Sequence, residues 1–350
     1  MSLPKFLCAL RTSPPDVLLP VCLQFDSLVF EALSDLTGGS VTPWARLKAS
    51  LPVRLGGLGL CQAGVHSLAI FLGSVQACKA LIFSLSGQSV SPSYISSALQ
   101  TFCLGLGRTP LSSLEDLEVP VSQKSLSRLI DDSLFNGLLS TAPSPRFRAL
   151  ALSSSLPHAG AWTTVLPSGL HFLSSEFVSC TRYWLGIPLT DLGLDCPICL
   201  RPSDPYGDHA VACGGNGERI SRHNSLRDIL YSAAQSAALS PRREVPSLVP
   251  VSVSRPADIF IPSWSLGQPA AMDVTVISPL QQLTLDRSAS DRGYALLFAE
   301  ERKNIVHFED CRRNGIIFQP LAMETLGGWS QRAVTVLRSI GRHLGGSRST

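Results

Sequence analysis

The stretch RPADIFIPSWSLGQPAAMDVTVI, residues 255–277, decides the fold of the second half of the chain. It holds two apolar runs, RPADIFI and AAMDVTVI, and each run carries one acid. The segment between them, PSWSLGQP, is rich in residues that form turns. Short apolar runs bounded by Pro and Gly are typical of β-strands. The stretch therefore predicts an antiparallel hairpin with one aspartate on each strand.

The two aspartates are predicted to face each other across this hairpin. The turn segment 262–269 has its midpoint at 265.5, which is also the midpoint between Asp258 and Asp273. Like charges directly opposed on two strands are destabilising, and a divalent cation between them removes the repulsion. Asp258 and Asp273 are therefore candidate catalytic residues and candidate ligands of Mg²⁺ or Mn²⁺. The alternatives are a solvated strand end, or a one-residue slip that separates the two side chains.

A cationic residue is expected beside such an acid pair if the pair acts on phosphate esters. In a nuclease core of the PD-(D/E)xK type, a lysine stands two residues after the second acid, which is the position of Thr275 here. A threonine cannot supply the cation, so the next candidate lies further along the chain. The following helix, YALLFAEERKNIVHFEDC, holds Glu300, Lys303 and His307 at i, i+3 and i+7, so they share one face. Lys303 is the candidate that orients the attacking water and neutralises charge on the phosphate. The alternative is a solvated helix face with an ordinary Glu–Lys pair.

The flanking segments predict a mixed α/β layer around one sheet. Glu244 begins a predicted strand, REVPSLVPVSV, and with Glu300 it is a candidate for a further metal ligand. The predicted order is a helix, a strand, the hairpin, the lysine-bearing helix, a strand and a helix, over residues 218–239, 243–253, 255–277, 294–311, 315–326 and 330–344.

A second constellation precedes this core. Cys196 and Cys199 form a CPIC pair, and His209 and Cys213 follow after the turn-forming segment RPSDPYGD. Two thiolates in a tight turn, with a His and a Cys four positions apart, can complete a tetrahedron around zinc. Four protein ligands leave no open position, so this Zn²⁺ is expected to be structural. The alternative is a chance CxxC pair beside a surface histidine.

Composition favours a soluble intracellular chain of two or three modules. The 350 residues are 45% hydrophobic and 16% charged, and the net charge of +3 permits a nucleic-acid partner without arguing for one. Ten scattered cysteines do not suggest a disulfide framework. The apolar run 68–85 is interrupted by Gln76 and Lys79, which favours a buried helix over a membrane span. No membrane partner is therefore expected.

The order of these motifs resembles that in non-LTR (LINE-type) retrotransposon polyproteins. CPIC…GDHAVAC, RHNSLRDIL, RPADIF…AAMDVTV, a lysine-bearing helix and FQPLAMETLGGW follow one another as in the lineage with a C-terminal restriction-like endonuclease. This resemblance covers about 196–345. Residues 40–75, with Trp44, LPVRLGGLGL and His66, resemble the thumb-side segment that follows the polymerase there.

The resemblance implies a helical N-terminal segment, a zinc knuckle, and a PD-(D/E)xK restriction-endonuclease-like core whose central mixed sheet is flanked by helices. It divides the chain into a thumb-like remnant (1–105), a Ser/Leu/Pro-rich helical linker (106–195), a CCHC knuckle (196–217) and the nuclease domain (218–345). We expect exposed hydrophobic patches on residues 1–170, since their apolar patterns suit a partner domain.

The implied activity is nicking of target DNA to prime reverse transcription, in the nucleus and possibly also in the cytoplasm. No Tyr-x-Asp-Asp occurs, and Asp131-Asp132 is a poor substitute, so the chain is expected to be a truncated element without polymerase activity. The implied partners are target DNA, element RNA and the missing reverse-transcriptase domain. The alternative is an inactive remnant that binds nucleic acid through the knuckle and a basic face.

Several basic side chains are candidate contacts to nucleic acid. Arg222-His223-Asn224 matches a polar motif that precedes the nuclease in the family that the chain resembles, and the resemblance makes His223 a further candidate for the site. The alternative is a structural cap or hydrogen bonding on the helix face. Arginines can hold phosphates without recognising sequence, and a role in surface solubility is the alternative. The candidates are Arg219, Arg222, Arg242 and Arg243.

Overall fold

The chain folds into two units, Met1–Ala142 and Pro143–Thr350. The structure, a computed structural model, describes residues 3–347 except 89, 91, 118, 165–170, 191–193, 216, 247 and 250–255. The boundary between the units lies inside the predicted linker 106–195, so the two halves of that segment belong to different units. The four-part division drawn from the sequence stays a prediction.

The first unit is helical. Its longest helix, α4, packs against α1, α2, α5 and α6 and carries much of the unit's core. Leu72 of α4, Phe102 of α5 and Leu126 of α6 are almost completely buried there. The helices are α1 (Leu3–Thr12), α2 (Pro15–Thr37), α3 (Pro43–Ser50), α4 (Ala63–Ser86), α5 (Pro92–Gly105) and α6 (Gln123–Ser140).

The Gly-rich segment 51–60 forms a tight turn between α3 and α4. Gly57 is required by space, because a Cβ atom there would lie 1.8 Å from the carbonyl oxygen of Leu51. Lys48 reaches into the same turn, and its Nζ donates to the Gly56 carbonyl over 2.7 Å. Lys48 is completely buried, and burial lowers its pKa to about 7. The turn is therefore held by close backbone packing and one buried donor.

Exposed apolar side chains lie on two helices of this unit, as the sequence predicts. Leu23 and Leu28 of α2 and Phe83 and Leu85 of α4 are more than half exposed. Among the described residues, α2 and α4 are long and apolar enough to cross a membrane, by length and composition alone. The predicted buried helix at 68–85 is confirmed only for its first half, because the last buried residue of α4 is Val75.

The second unit is mixed α/β, which confirms the predicted class. Its sheet has the order β1-β2-β3-β4, antiparallel except for the parallel pair β3–β4. The strands are β1 (Arg242–Arg243), β2 (Ile259–Ser265), β3 (Gln268–Ile277) and β4 (Ile317–Glu324). The helices are α7 (Pro145–Ser154), α8 (Ser174–Leu185), α9 (Asp208–Ala212), α10 (Glu218–Ser236), α11 (Leu285–Ser288), α12 (Tyr294–Arg313) and α13 (Gln331–Ser347).

Helices cover both faces of this sheet. Ile261 and Met272 point to the face that α10 and α13 cover, where Leu230 and Val336 complete a buried cluster. Residues on the opposite face, such as Ala322, pack against α12. Successive side chains of a strand point to opposite faces, and residues 270–274 of β3 are buried on both of them. A charged group on β3 therefore has little water around it.

The hairpin has the predicted register beside the acids but a different turn. Ile259 pairs with Met272 and Ile261 with Ala270, and each pair of numbers has the same midpoint as Asp258 and Asp273. The predicted eight-residue turn is wrong: β2 continues to Ser265, since Trp264 packs against the core. The chain reverses through two residues, Leu266 and Gly267, with φ of 52° and 80°. Two positive φ angles define a type I′ turn.

The predicted strand at 243–253 is wrong in its described part. β1 ends at Arg243, and Glu244 adopts a φ of 43°, which L-residues rarely hold in a ladder. Pro246 follows and has no N–H for a sheet hydrogen bond. Residues 247 and 250–253 of this predicted strand lie outside the described residues. Only a two-residue edge strand therefore borders β2.

Leu266 gives a test of the hairpin. Its side chain is fully exposed, and its left-handed backbone costs an L-residue about 1–2 kcal/mol, a cost that Asn tolerates better. We expect Leu266→Asn to raise the free energy of unfolding by about 1 kcal/mol in urea titrations. Leu266→Val, which is β-branched and stiffer, is the matched control and should lower it. An unchanged midpoint for both variants would contradict the I′ turn.

Glu324 is a buried acid at the end of β4. It is inaccessible to solvent, and among the described residues neither carboxyl oxygen has a hydrogen-bond partner within 3.5 Å. Burial raises its pKa to about 7, although the nearby Ser153 hydroxyl favours the charged form. An unfolded glutamate ionises near pH 4.3, so between about pH 4 and 7 only the unfolded state has lost its proton. Stability is therefore full below about pH 4 and falls as the pH rises through 7.

Glu324→Gln should remove this pH dependence. We expect the variant to be more stable than wild type at pH 8 by about 3 kcal/mol, and equally stable near pH 4. Urea titrations of both proteins across this range measure the difference. Glu301→Gln, at an exposed position of α12, is the control and should follow wild type. A parallel pH profile for wild type and Glu324→Gln would contradict the buried ionisation.

Candidate functional site

The four predicted knuckle residues meet in the second unit. One ligand atom from each of Cys196, Cys199, His209 and Cys213 lies within 4.8 Å of the others. The Cys196 and Cys213 sulfurs are 3.9 Å apart, and the Cys199 sulfur is 3.2 Å from His209 Nε2. Three thiolates and an imidazole are a donor set that holds zinc tetrahedrally. The structure thus confirms a Cys3His group that could hold a metal ion such as zinc.

A tight turn positions the two thiols of the CPIC pair. The Leu200 N–H donates to the Cys196 carbonyl over 2.9 Å, with Leu200 itself at a φ of 57°. The Cys196 N–H donates to the Arg201 carbonyl over 2.8 Å, so the chain turns back on itself. Backbone N–H groups of Cys199 and Ile198 lower the pKa of the Cys196 thiol to about 6. That shift favours the thiolate, which is the form that binds metal.

Asp204 positions the histidine ligand. Its carboxylate accepts hydrogen bonds from the backbone N–H groups of Tyr206, Asp208 and His209, at 2.9, 3.1 and 2.6 Å. Burial by itself raises the pKa of Asp204, but these donors outweigh it and the pKa lies below its usual range. The charged carboxylate therefore holds the start of α9, which carries His209, against the turn.

Arg146 attaches the knuckle to α7, a contact that the sequence did not suggest. Its guanidinium donates to both oxygens of Asp208, at 2.5 and 2.8 Å, and lies 4.0 Å from the ring centroid of Tyr206. The arginine and aspartate side chains are each nearly nine-tenths buried. A bidentate arginine–carboxylate pair of this kind fixes the relative orientation of the two side chains and also pairs their charges. No periodic pattern relates residues this far apart along the chain, so sequence analysis had no signal for this pair.

Zinc loading of the knuckle can be tested directly. We expect the protein to bind one Zn²⁺ per chain, and Co²⁺ in its place to give the intense absorption of a tetrahedral thiolate site. Cys199→Ser should lose the bound metal, because it removes one of four donors. Cys180→Ser, on α8, is the matched control and should keep one ion per chain. Equal zinc content in both variants, measured by elemental analysis, would contradict the assignment.

The second constellation lies at the centre of the sheet. Asp273 is buried in β3, and Asp258 directly precedes β2, where its Oδ2 accepts from the Val274 N–H over 2.7 Å. Lys303 of α12 donates from Nζ to Asp273 Oδ1 over 2.9 Å. The structure therefore brings together the two acids and the lysine that sequence analysis selected.

The two carboxyls have pKa values shifted in opposite directions. Burial raises the pKa of Asp273 to about 6; Lys303 opposes that rise, and the charge and hydrogen bonding of Asp258 add to it. Burial also acts on Asp258, but hydrogen bonds from His223 and the Val274 N–H hold its pKa below the usual range. Two acids that share one site behave in this way, since the second charge is costly beside the first.

A histidine lies against each acid. His223 Nε2 is 3.1 Å from Asp258 Oδ2, and the hydrogen bond with this carboxylate raises the pKa of His223. His307 Nε2 is 3.9 Å from Asp273 Oδ2. Burial lowers the pKa of His307, and the charge of Lys303 lowers it further. Helical spacing predicts that His307 shares a face with Lys303, but it predicts no role for His307. The partner of His307 is Asp273, which lies on a strand 34 residues earlier in the chain.

The acid pair fits a divalent cation with few protein ligands. Asp273 Oδ2 is buried and has no hydrogen-bond partner in the described part of the chain, so a lone pair is available there. Within the part of the chain that the structure describes, the Cys3His group is the only cluster of three or more donors within 4.8 Å. Mg²⁺ is commonly held by one or two carboxylates, with water and phosphate oxygens as the other ligands. The donors present suit that kind of site.

The two glutamate candidates have different surroundings. Glu244 forms an ion pair with Arg227 and is exposed. Glu300 is buried on α12, and its Oε1 lacks a hydrogen-bond partner among the described residues. Thr275 lines the groove described next, and its hydroxyl is also buried without a partner. The cation near Asp273 thus comes from Lys303, as predicted.

A groove of about 750 Å³ opens beside the acids. Its floor is the second half of β3, one wall is α12, and the other is formed by the end of the knuckle and the start of α10. Arg222 crosses this wall and donates to the Val211 carbonyl. The basic side chains that line the groove are Arg219, Arg222, Arg302 and Lys303, with His223 and His307 between them.

Only two of the four predicted arginine contacts line this groove. Arg219 and Arg222 do so, whereas Arg242 and Arg243 are exposed on the edge strand β1. The Arg243 guanidinium lies 4.2 Å from the ring centroid of Tyr231 and 3.5 Å from Asp228. Arg243 therefore contacts protein side chains at the edge of the sheet and does not line the groove.

Fold and site together define a mixed α/β protein that carries a Cys3His group and a buried acid pair joined to a lysine. No protein-family model matches the chain, and no curated protein matches it significantly.

Proposed function

We propose that residues 218–345 form a metal-dependent DNA endonuclease with a PD-(D/E)xK-like core. The observation that carries this proposal is the 2.9 Å contact of Lys303 with Asp273, beside Asp258 and at the end of a basic groove. An ion pair placed for stability alone is a poor use of a strand covered on both faces, since the desolvation cost is high. A site that must hold a metal and a phosphate accounts for that cost.

Each residue has a definite task in this proposal. Asp258 and Asp273 hold Mg²⁺ or Mn²⁺, which when bound polarises the scissile phosphate and supplies an activated water. Lys303 orients the attacking water and neutralises charge that develops on the phosphate. Arg219 and Arg222 contact the DNA backbone along the groove wall and set its position, without recognising sequence.

The biological setting that we propose is a LINE-type retrotransposon, with the knuckle beside the nuclease. The products of such nicking would prime reverse transcription by a polymerase domain, in the nucleus, with target DNA and element RNA as partners. Support comes from the order of the sequence motifs and from the Cys3His geometry. Structural Zn²⁺ would hold the groove wall that contains Val211 and Gly214, since both lie next to knuckle ligands.

A second candidate function is nucleic-acid binding without cleavage. A small cavity at the knuckle is lined by Arg201 and Arg219 together with the ligands Cys199 and His209. Two cations at a metal-stabilised turn suit a phosphate backbone. This function needs neither aspartate, so the two candidates differ in what removal of an acid does.

Nicking of supercoiled plasmid separates the two functions. With Mg²⁺ or Mn²⁺ we expect Asp273→Asn and Lys303→Met to lower the nicking rate at least about 100-fold, because each removes a group that acts in the transition state. Asp286→Asn, at an exposed position of α11, is the matched control and should nick like wild type.

The outcomes are distinct. Equal nicking by wild type and Asp273→Asn would contradict the catalytic assignment. DNA binding that survives in a wild-type protein unable to nick would support the second candidate. Thermal melting of each variant shows whether a lost activity reflects lost folding, and Asn matches the size of Asp273 closely enough to keep the core filled.

A further inference from the structure

We propose that His307 is a metal ligand beside Asp273, so that the site selects a first-row transition-metal ion over Mg²⁺. The inference rests on the proposed endonuclease site and names the ion that this site takes. Sequence and motif order suggest Mg²⁺ and Mn²⁺ equally, whereas a nitrogen donor distinguishes them.

The position of the imidazole suits a shared ion. His307 Nε2 and Asp273 Oδ2 are 3.9 Å apart. Around an ion with metal–ligand lengths of about 2.1 Å, neighbouring ligands of an octahedron are about 3 Å apart and opposite ligands about 4.2 Å. The observed separation falls between these limits. It is too long for a direct hydrogen bond, which a mere structural contact would use.

The carboxylate presents the matching lone pair. Lys303 occupies Asp273 Oδ1 at 2.9 Å, whereas Oδ2 is buried and accepts no hydrogen bond within the described structure. Asp273 is about 4% exposed, so water does not replace the missing donor easily. A buried oxygen without a donor is unfavourable, and a cation removes that cost.

The position of the His307 imidazole is also fixed by packing. His307 is about 9% exposed, its ring centroid lies 5.6 Å from that of Phe318, and it lines the groove. Its Nδ1 is buried and has no partner in the described residues. Nε2, the ring nitrogen on the side of Asp273, is the atom that is placed to bind a metal.

Nitrogen and oxygen donors differ in the ions that they prefer. Mg²⁺ is a hard ion that takes oxygen ligands and gives up its waters reluctantly. Imidazole suits first-row transition metals, whose affinity for nitrogen donors exceeds that of Mg²⁺. The pair of Asp273 and His307 therefore favours such an ion, and Mn²⁺ is a suitable probe because it is paramagnetic.

Pulsed EPR tests the ligand without any substitution. The full chain, first loaded with one equivalent of Zn²⁺ at the knuckle, is titrated with Mn²⁺ alone. We expect the bound Mn²⁺ to show hyperfine coupling to a directly bound ¹⁴N nucleus. Bound Mn²⁺ without nitrogen coupling would overturn the proposal. His223 also lies near the acids, so the coupling must be assigned by variants.

His307→Gln replaces the nitrogen donor with an amide of similar reach. We expect the nitrogen coupling to vanish, Mn²⁺ to bind about tenfold more weakly, and Mg²⁺ in competition to bind within about twofold of wild type. His343→Gln, an exposed histidine of α13, is the matched control and should leave all three unchanged. Coupling that persists in His307→Gln and vanishes in His223→Gln would assign the nitrogen to His223 and overturn the proposal.

The design separates this inference from the proposed function. Asp273→Asn should abolish Mn²⁺ binding at the acid pair if the endonuclease site exists. Mn²⁺ binding that needs Asp273 but is indifferent to His307 would refute the ligand and leave the nuclease proposal intact. Mn²⁺ binding that is indifferent to Asp273 would refute both.

Discussion

The structure of the second unit depends on one constraint, which is a carboxylate buried in the central strand of a sheet covered on both faces. Asp273 stands between apolar neighbours, and its charge is costly there unless a cation is near. Lys303 supplies one cation to Oδ1, and Oδ2 remains available. The register of the hairpin brings Asp258 to the position opposite Asp273. Helix α12 brings Lys303 and His307 to the same carboxylate.

The knuckle and the groove are parts of one wall. Cys213 ends the ligand set, and Gly214 beside it already lines the groove. Arg146 holds the knuckle to α7 through Asp208, while Arg222 holds the start of α10 to the knuckle carbonyl of Val211. A metal that orders the CPIC turn therefore orders one side of the groove as well. A zinc ion held by the Cys3His group would thus support a groove wall that it does not touch.

Much of the acid site could be predicted because its parts obey local periodicity. The midpoint of the predicted turn segment gave the register of Asp258 and Asp273, and helical spacing put Lys303 and His307 on one face. The actual turn is centred one residue later, and the register shift between Ile261 and Ser265 offsets that difference. The strand expected at 243–253 was wrong, because the pattern of apolar residues does not reveal that Glu244 adopts a left-handed backbone conformation. The turn was wrong for a related reason: Trp264 packs into the core, which extends β2 past Pro262.

The amino-acid sequence by itself determined the mixed α/β class, the four knuckle donors and the three residues Asp258, Asp273 and Lys303. The class, the knuckle donors and the acid pair need only short-range patterns of hydrophobicity, spacing and turn chemistry, whereas the choice of Lys303 in place of Thr275 rested mostly on the resemblance in motif order. Only the tertiary structure decided that His307 faces Asp273 and that Arg146 holds Asp208. Such contacts depend on how helices are placed on a sheet, which is set by packing of the whole core and leaves no periodic trace in the chain.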